Sequence, residues 1–290
     1  MDIVQRQGFY PPPPGASEIL GVEVSGIIES VGKNVTKFKK GDAVFGLMGG
    51  GGYAEYAVME EKLVIPKPDE ITFEQAAAIP ETWFTAYQAL FLVSELKKGE
   101  DVLIHAGASG VGIAAIQLAK EAGAHHIFVT VGSDEKVKFC ESLGATHAIN
   151  YKTQNWAKII AEKTSGKGVN VIVDFIGKNY AADNLETLGL DGRMVILAFM
   201  SGAQIENFNI APILRKRLRI QGSTLRSRSV DYQAHLREEV YNHAIKDHFG
   251  CSHGKFKIFI DSVYDWKDII KATEHMEANK SMGKIVVNVS

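Results

Sequence analysis

The sequence predicts an α/β protein in which a doubly wound, six-stranded parallel sheet is inserted into a discontinuous and mostly β second domain. Three observations predict it. From Asp101 onward short apolar, β-rich runs alternate with helical patterns, and a glycine turn joins the first of these runs to a helix without spare residues. Before Asp101 the chain is instead broken by closely spaced turn signals, the pattern of short antiparallel strands.

In chain order, the turn signals are the proline run 11–14 with Gly15, then Gly32-Lys33-Asn34, Gly41-Asp42 and the glycine run 49–52. They leave strand-like runs at 22–31 and 43–47. The central strands read as 102–106, 127–131, 147–150, 169–175, 193–199 and 218–223. Helices are expected to open near Gly110, Asp134, Asn155, Asn179 and Ala211, and several to close on glycine at Gly123, Gly144, Gly166 and Gly189. After the sheet, 230–248 and 266–279 read as helices. Residues 257–263 and 283–289 read as strands that rejoin the N-terminal β region. The expected division is 83–224 for the parallel-sheet domain, with 1–82 and 225–290 forming the other.

Composition narrows the partners. The 290 residues are 46% hydrophobic and 23% charged, enough for well-buried cores. A net charge of −2, from 32 basic and 34 acidic residues spread along the chain, provides no basic stripe for nucleic acid or a membrane surface, so a small molecule is expected. Cys140 and Cys251 are far apart and form neither a disulfide framework nor a metal-spaced cluster, which suits a reducing compartment. No apolar run reaches membrane-spanning length and Met1-Asp2-Ile3-Val4-Gln5-Arg6 lacks a signal-peptide core, so the cytoplasm is expected.

The segment from Gly99 to Lys120 reads as a dinucleotide pyrophosphate site. Gly107, Ala108, Gly110, Val111 and Gly112 form the strand-to-helix turn, where small residues let backbone approach phosphates and the helix start supplies N–H groups and a positive dipole end. The end of the second strand, Thr130-Val131-Gly132-Ser133, carries no acid for a ribose hydroxyl. Ser133 can donate its hydroxyl, Lys136 can supply counter-charge and Tyr151 can lie along the adenosine or phosphate edge, which favours NADPH. Asp134 and Glu135 argue for NAD, although acids in a first helical turn also serve the helix dipole.

Gly99-Glu100, Leu103, Gly107-Ala108, Gly110, Gly112, Gln117 and Lys120 resemble the signature of the zeta-crystallin-type quinone oxidoreductases, zinc-free members of the medium-chain dehydrogenase/reductase superfamily. Arg6-Gln7-Gly8, Tyr10-Pro11-Pro12-Pro13, Leu20-Gly21-Val22-Glu23, the stretch 76–81, Leu225-Arg226-Ser227-Arg228 and the stretch 276–280 are similar to the tumour-suppressor-inducible subgroup of that family, as is Ser109 where the wider family commonly has glycine. The resemblance implies a Rossmann domain inserted in a GroES-like domain, a homodimer, and transfer from NADPH to a quinone in a cleft between domains without flavin. It also implies that Ser109 lies near the nicotinamide and that Tyr10 lines the substrate side. The plainer readings are a helix N-cap for Ser109 and an aromatic resting on the proline loop for Tyr10.

Thr85 matches a threonine that approaches the nicotinamide in the family, its alternative being a helix-start hydroxyl bonded to backbone. Gly177 closes the fourth strand at the ligand-binding edge, where a glycine is also ordinary turn chemistry, and Phe199 and Met200 follow the fifth strand, either flanking the nicotinamide or packed and buried at the strand end. No metal site is expected: the metal-dependent relatives place histidine where Val22 stands, no cysteine precedes Cys140, and His105, His125, His126 and His147 read as scattered strand or surface residues. The resemblance places Met1 after the family's opening strands and an asparagine that lines its cleft, so an incomplete, N-terminally truncated GroES-like domain is expected. Reduction of an activated carbon–carbon double bond, with Tyr10 giving the proton, and NADPH binding without turnover are the competing functions.

Overall fold

The computed structural model describes residues 1–249 and 253–289, so Cys251 lies outside the described residues. Its chain divides into two compact units, Met1–Phe84 with Leu225–Ser290, and Thr85–Thr224.

The first unit opens with the short helix α1 (Asp2–Arg6) and an antiparallel sheet of β1 (Glu23–Ile27), β2 (Ala43–Leu47) and β3 (Val64–Pro66) in that order. Phe45, Leu47 and Ile65 supply its buried face. β1 is shorter than the predicted 22–31 because the chain beyond Ile28 turns out to solvent, leaving Glu29 and Val31 exposed. Helix α2 (Phe73–Ala77) begins with a capping box in which Thr72 and Gln75 bond each other's backbone. Helix α3 (Pro80–Tyr87) follows and carries the chain across the division.

The second unit is built in chain order from β4 (Val102–Ile104), α4 (Gly110–Glu121), β5 (Ile127–Val131), α5 (Asp134–Leu143), β6 (His147–Asn150), α6 (Trp156–Lys163), β7 (Val169–Asp174), α7 (Ala181–Thr187), β8 (Leu188–Ile196), α8 (Ala211–Arg215) and β9 (Arg219–Gly222). All six strands are parallel, in the order β6-β5-β4-β7-β8-β9. The order reverses between β4 and β7, which opens a crevice at the carboxyl ends of the strands. Every residue of β4 and β5 is buried, as expected for strands covered on both faces.

Boundaries moved where non-local pairing decided them. β4 stops at Ile104 because Ala106 adopts φ +50° to start the turn. Gly189 does not close a helix: α7 ends at Thr187, Leu188 pairs with Val169 to begin β8, and a Cβ on Gly189 would stand 2.6 Å from the Lys167 carbonyl oxygen. β8 therefore starts before the predicted 193 and ends at Ile196, leaving Phe199 and Met200 in a loop. Gly123, Gly144 and Gly166 do take the positive φ that ends a helix.

The chain then returns to the first unit with α9 (Val230–Val240), which continues as a π-helical segment Tyr241–Phe249. β10 (Ile260–Asp265), α10 (Ile269–Glu277) and β11 (Lys284–Asn288) make a parallel β-α-β unit. The last two strands thus rejoin the N-terminal unit, as expected, but not its sheet. They pair with each other, and an ion pair from Lys284 to Glu23 connects them to β1. Trp83 of α3 packs edge-on to Phe249, centroids 4.8 Å apart, and at 5.0 Å from Phe256.

Candidate functional site

The turn from β4 to α4 is fixed by steric necessity at two glycines. A Cβ on Gly107 would lie 2.9 Å from the Val129 Cβ on β5, and one on Gly112 only 2.5 and 2.6 Å from the carbonyl oxygens of Ala106 and Gly107. Only glycine lets the first turn of α4 pack directly on the strand-end backbone. Ser109 is the N-cap, its hydroxyl accepting the Gly112 N–H at 3.1 Å while its side chain stays exposed. The N–H groups of Gly110 and Val111 have no carbonyl to bond within the helix and open, beside buried Ala108, at the strands' carboxyl edge. Unbonded N–H groups at a helix start are able to receive an anion.

At the end of β5, Ser133 caps α5 by accepting the Lys136 N–H at 3.3 Å, and Asp134 is bonded to Asn150 Nδ2 at 2.7 Å. Asp134 is thus tied to the end of β6. Tyr151 bonds Val131 through backbone and lays its phenol against Gly132, where a Cβ would stand 2.9 Å from its hydroxyl oxygen. Lys152, which the sequence reading missed, reaches the same spot, its Cε 3.6 Å from that Cβ position. Ser133, Tyr151 and Lys152 therefore share one corner at the ends of β5 and β6, with Lys136 in the first turn of α5 behind Ser133.

The loops after β7 and β8 are zipped together. Asp174, its carboxyl raised by burial, accepts the N–H groups of Ile176 and Gly177, and Met200 and Ser201 bond back to the carbonyls of Phe175 and Ile176. Gly177 has φ +80°, and a Cβ there would meet Phe199 Cδ1 at 2.8 Å. Phe199 and Met200 are 54% and 67% exposed, which removes the buried-packing alternative for both. Thr85 corrects a second alternative: it lies inside α3, not at its start, and its buried hydroxyl oxygen has no hydrogen-bond partner. Ser223, just past β9 at the same carboxyl edge, also holds a buried, unpartnered hydroxyl and carried no sequence signal.

In the first unit, Tyr10 sits beside the buried Arg226, whose guanidinium lies 5.9 Å from its ring and is itself held by the carbonyl of Gly49 and by Gln5 Oε1. Burial, reinforced by the charge of Glu81 and opposed by Arg226, raises the Tyr10 phenol above its ordinary value. Glu81 is raised to about 7 by burial and by the neighbouring Glu23, with Lys284 opposing. Its N–H donates to Glu23 Oε1 at 2.8 Å and its own Oε2 is unpartnered. Sequence reading quoted Glu81 only as part of a resemblance.

His105 is a core residue: Nδ1 is 2.9 Å from Thr130 Oγ1, Nε2 is 2.8 Å from Asn184 Oδ1, and burial lowers it to about 4, so the ring is neutral. His125, His126 and His147 are not scattered, as expected from sequence, but gather at the amino edge of the sheet. A polar depression of about 490 Å³ on that edge is lined in part by Arg193 with Glu100 and Arg219 with Glu95, which already pair with each other.

Two family models match the chain, the alcohol dehydrogenase GroES-like domain over residues 1–69 and the zinc-binding dehydrogenase over 110–241. The quinone oxidoreductase of Homo sapiens is 32% identical over 284 residues, covering 97% of this chain and 83% of that protein. Among solved structures, the Escherichia coli quinone oxidoreductase complexed with NADPH superimposes with a TM-score of 0.85 at 30% identity, covering 99% of this chain and 86% of that one. The CurK enoyl reductase gives 0.81 at 28%, covering 99% and 86%. With both domain models matched in order and relatives of this identity over nearly its whole length, the chain belongs to the quinone oxidoreductases of the medium-chain dehydrogenase/reductase superfamily.

Proposed function

We propose that this chain is an NADPH-dependent quinone oxidoreductase that works without zinc or flavin, with residues 83–224 binding NADPH and residues 1–82 with 225–290 forming the substrate domain. The observation that carries the reading is the β4–α4 turn, where Gly107 and Gly112 admit no side chain and the α4 N–H groups face the carboxyl edge. The relative from Escherichia coli is complexed with NADPH.

The residues present fit that cofactor. Gly107, Ala108, Gly110, Val111 and Gly112 would cradle the pyrophosphate; Ser133, Tyr151 and Lys152 form a corner with one cation and two hydroxyls suited to a ribose phosphate, with Lys136 following in the first turn of α5. The unpartnered hydroxyl of Thr85 is a buried donor awaiting a polar group, which the nicotinamide amide provides. Gly177, Phe199 and Met200 border the same edge as its aromatic and apolar wall. Bound NADPH supplies a hydride equivalent. Ser109, its oxygen already accepting from Gly112, keeps its hydroxyl proton to donate beside the reacting ring. Tyr10, held protonated, donates a hydrogen bond to a substrate oxygen. Positioning of two reactants accounts for most of the acceleration, because quinol oxygens take protons from water.

Zinc is not required in this reading, although one family model is described by it: Val22 stands where metal-dependent relatives place histidine, and Cys140 is buried beneath the nucleotide turn. A homodimer through the free edge of β9 is supported by the exposed Ile210 and Leu214 just before it. The cytoplasm fits the two-cysteine composition.

The state of Tyr10 and Glu81 favours one second reading, reduction of an activated carbon–carbon double bond, which needs a proton donor, and an enoyl reductase is among the similar structures. Product analysis with a panel of quinones and enones separates them. Quinol formation with enones inert supports the first; saturated enone with quinones inert replaces it.

A further inference from the structure

The turns that lead into β4 and β5 meet at the amino edge of the six-stranded sheet, the opposite end of the strands from the glycine turn. Asp101, His125 and His126 converge there. Nδ1 of His125 is 2.9 Å and Nδ1 of His126 is 3.1 Å from the same Asp101 Oδ1, and the three ligand atoms lie within 4.8 Å of one another. That oxygen also accepts the backbone N–H of His126 at 3.0 Å. Two imidazoles whose centroids are 3.9 Å apart thus aim the same ring nitrogen at one carboxylate oxygen. Each needs its proton on Nδ1 to bond there, so without an ion the two rings compete for one acceptor oxygen that the His126 N–H already occupies. One divalent cation satisfies both nitrogens and the carboxylate together.

The ligands are also held in place before any ion arrives. His125 N–H bonds the Glu100 carbonyl at 2.8 Å, Val102 N–H bonds the His126 carbonyl at 2.9 Å, and Asp101 N–H bonds Asn170 Oδ1 at 2.9 Å. Asp101 and His126 side chains are mostly buried, whereas that of His125 is 63% exposed and leaves the cluster open to solvent on one side. His147, at the start of β6, places a third imidazole 5.4 Å from His126.

We propose that Asp101, His125 and His126 bind a divalent transition-metal ion of the Zn²⁺, Ni²⁺ or Cu²⁺ class, with water completing its coordination. Two imidazole nitrogens and one carboxylate suit these ions, whereas Mg²⁺ demands an oxygen shell. The ion cross-links the approaches to β4 and β5 and takes no part in the chemistry proposed at the carboxyl edge.

Calorimetric titration of the chelator-treated full chain with Zn²⁺ tests the site, with Mg²⁺ as control ion. His125→Ala removes an exposed ligand, so its melting temperature without metal should equal that of the parent. His235→Ala deletes an exposed histidine on α9 in the other unit. The proposal expects one Zn²⁺ per chain, affinity lowered about tenfold or more by His125→Ala, no change with His235→Ala and no Mg²⁺ uptake. Absence of Zn²⁺ uptake, equal affinity in parent and His125→Ala, or an equal loss in His235→Ala overturns it.

Discussion

Gly112 bears the tightest steric demand in the nucleotide turn, because any side chain there meets two carbonyl oxygens of the strand-end backbone. Gly112→Ala should destabilise the chain by about 3 kcal/mol, the upper end for overpacking, and abolish NADPH binding, as read by thermal unfolding and calorimetry. Ser109→Ala should cost only about 1 kcal/mol for the lost cap, so a larger fall in turnover than in stability separates cap from chemistry. Lys152→Ala deletes a cation from the corner around Gly132 and should lower the NADPH-to-NADH ratio of kcat/KM about tenfold, equal to the roughly 1.5 kcal/mol of a charged hydrogen bond. Glu81 gives a pH prediction with a definite sign. Its folded value of about 7 lies above the ordinary carboxylate value of 4.5, so the unfolded chain releases this proton first and the contribution erodes stability as pH rises from about 4.5 to 7. Denaturant titrations across that window should show a steeper decline for the parent than for Glu81→Gln, up to about 3 kcal/mol.

Elements differ in how far the sequence announces them. The alternation of β4 through β9 with their helices is legible because strands buried on both faces are continuous apolar runs, as in Ile127-Phe128-Val129, and because Gly123, Gly144 and Gly166 mark helix ends by local φ. Gly189 looked the same in sequence and means something else. Its role is set by the pairing of Leu188 with Val169, a contact no local pattern carries. The partnership of β10 with β11 is non-local in the same way. At the site, the glycines and the Ser109 cap were readable from spacing, whereas the Ser133 cap was read as a cofactor contact, and Lys152, Ser223 and the orphan oxygens of Thr85 and Glu81 emerge only when distant segments are brought together. Helix α3 shows how much one aromatic anchors: Trp83→Ala, which empties the space against Phe249 and Phe256, should cost about 3–5 kcal/mol in chemical denaturation.

For the whole molecule, nearly balanced charge and a sheet without a basic stripe direct attention to small molecules, and among the described residues no helix is long and apolar enough to cross a membrane. The carboxyl edge of the sheet carries the start of α4, with its N–H groups unbonded within the helix, and the corner of Ser133, Tyr151 and Lys152; the amino edge carries ion pairs and the histidine cluster. Such polarity within one unit is what a doubly wound sheet produces, since all its strands point the same way. It ties the proposed function to one direct measurement: stopped-flow loss of NADPH absorbance by this chain, free of flavin and treated with chelator, across a panel of ortho- and para-quinones. The account predicts quinone-dependent NADPH oxidation that persists after chelation and is lost in Gly112→Ala. Tight NADPH binding without oxidation by any quinone would contradict it.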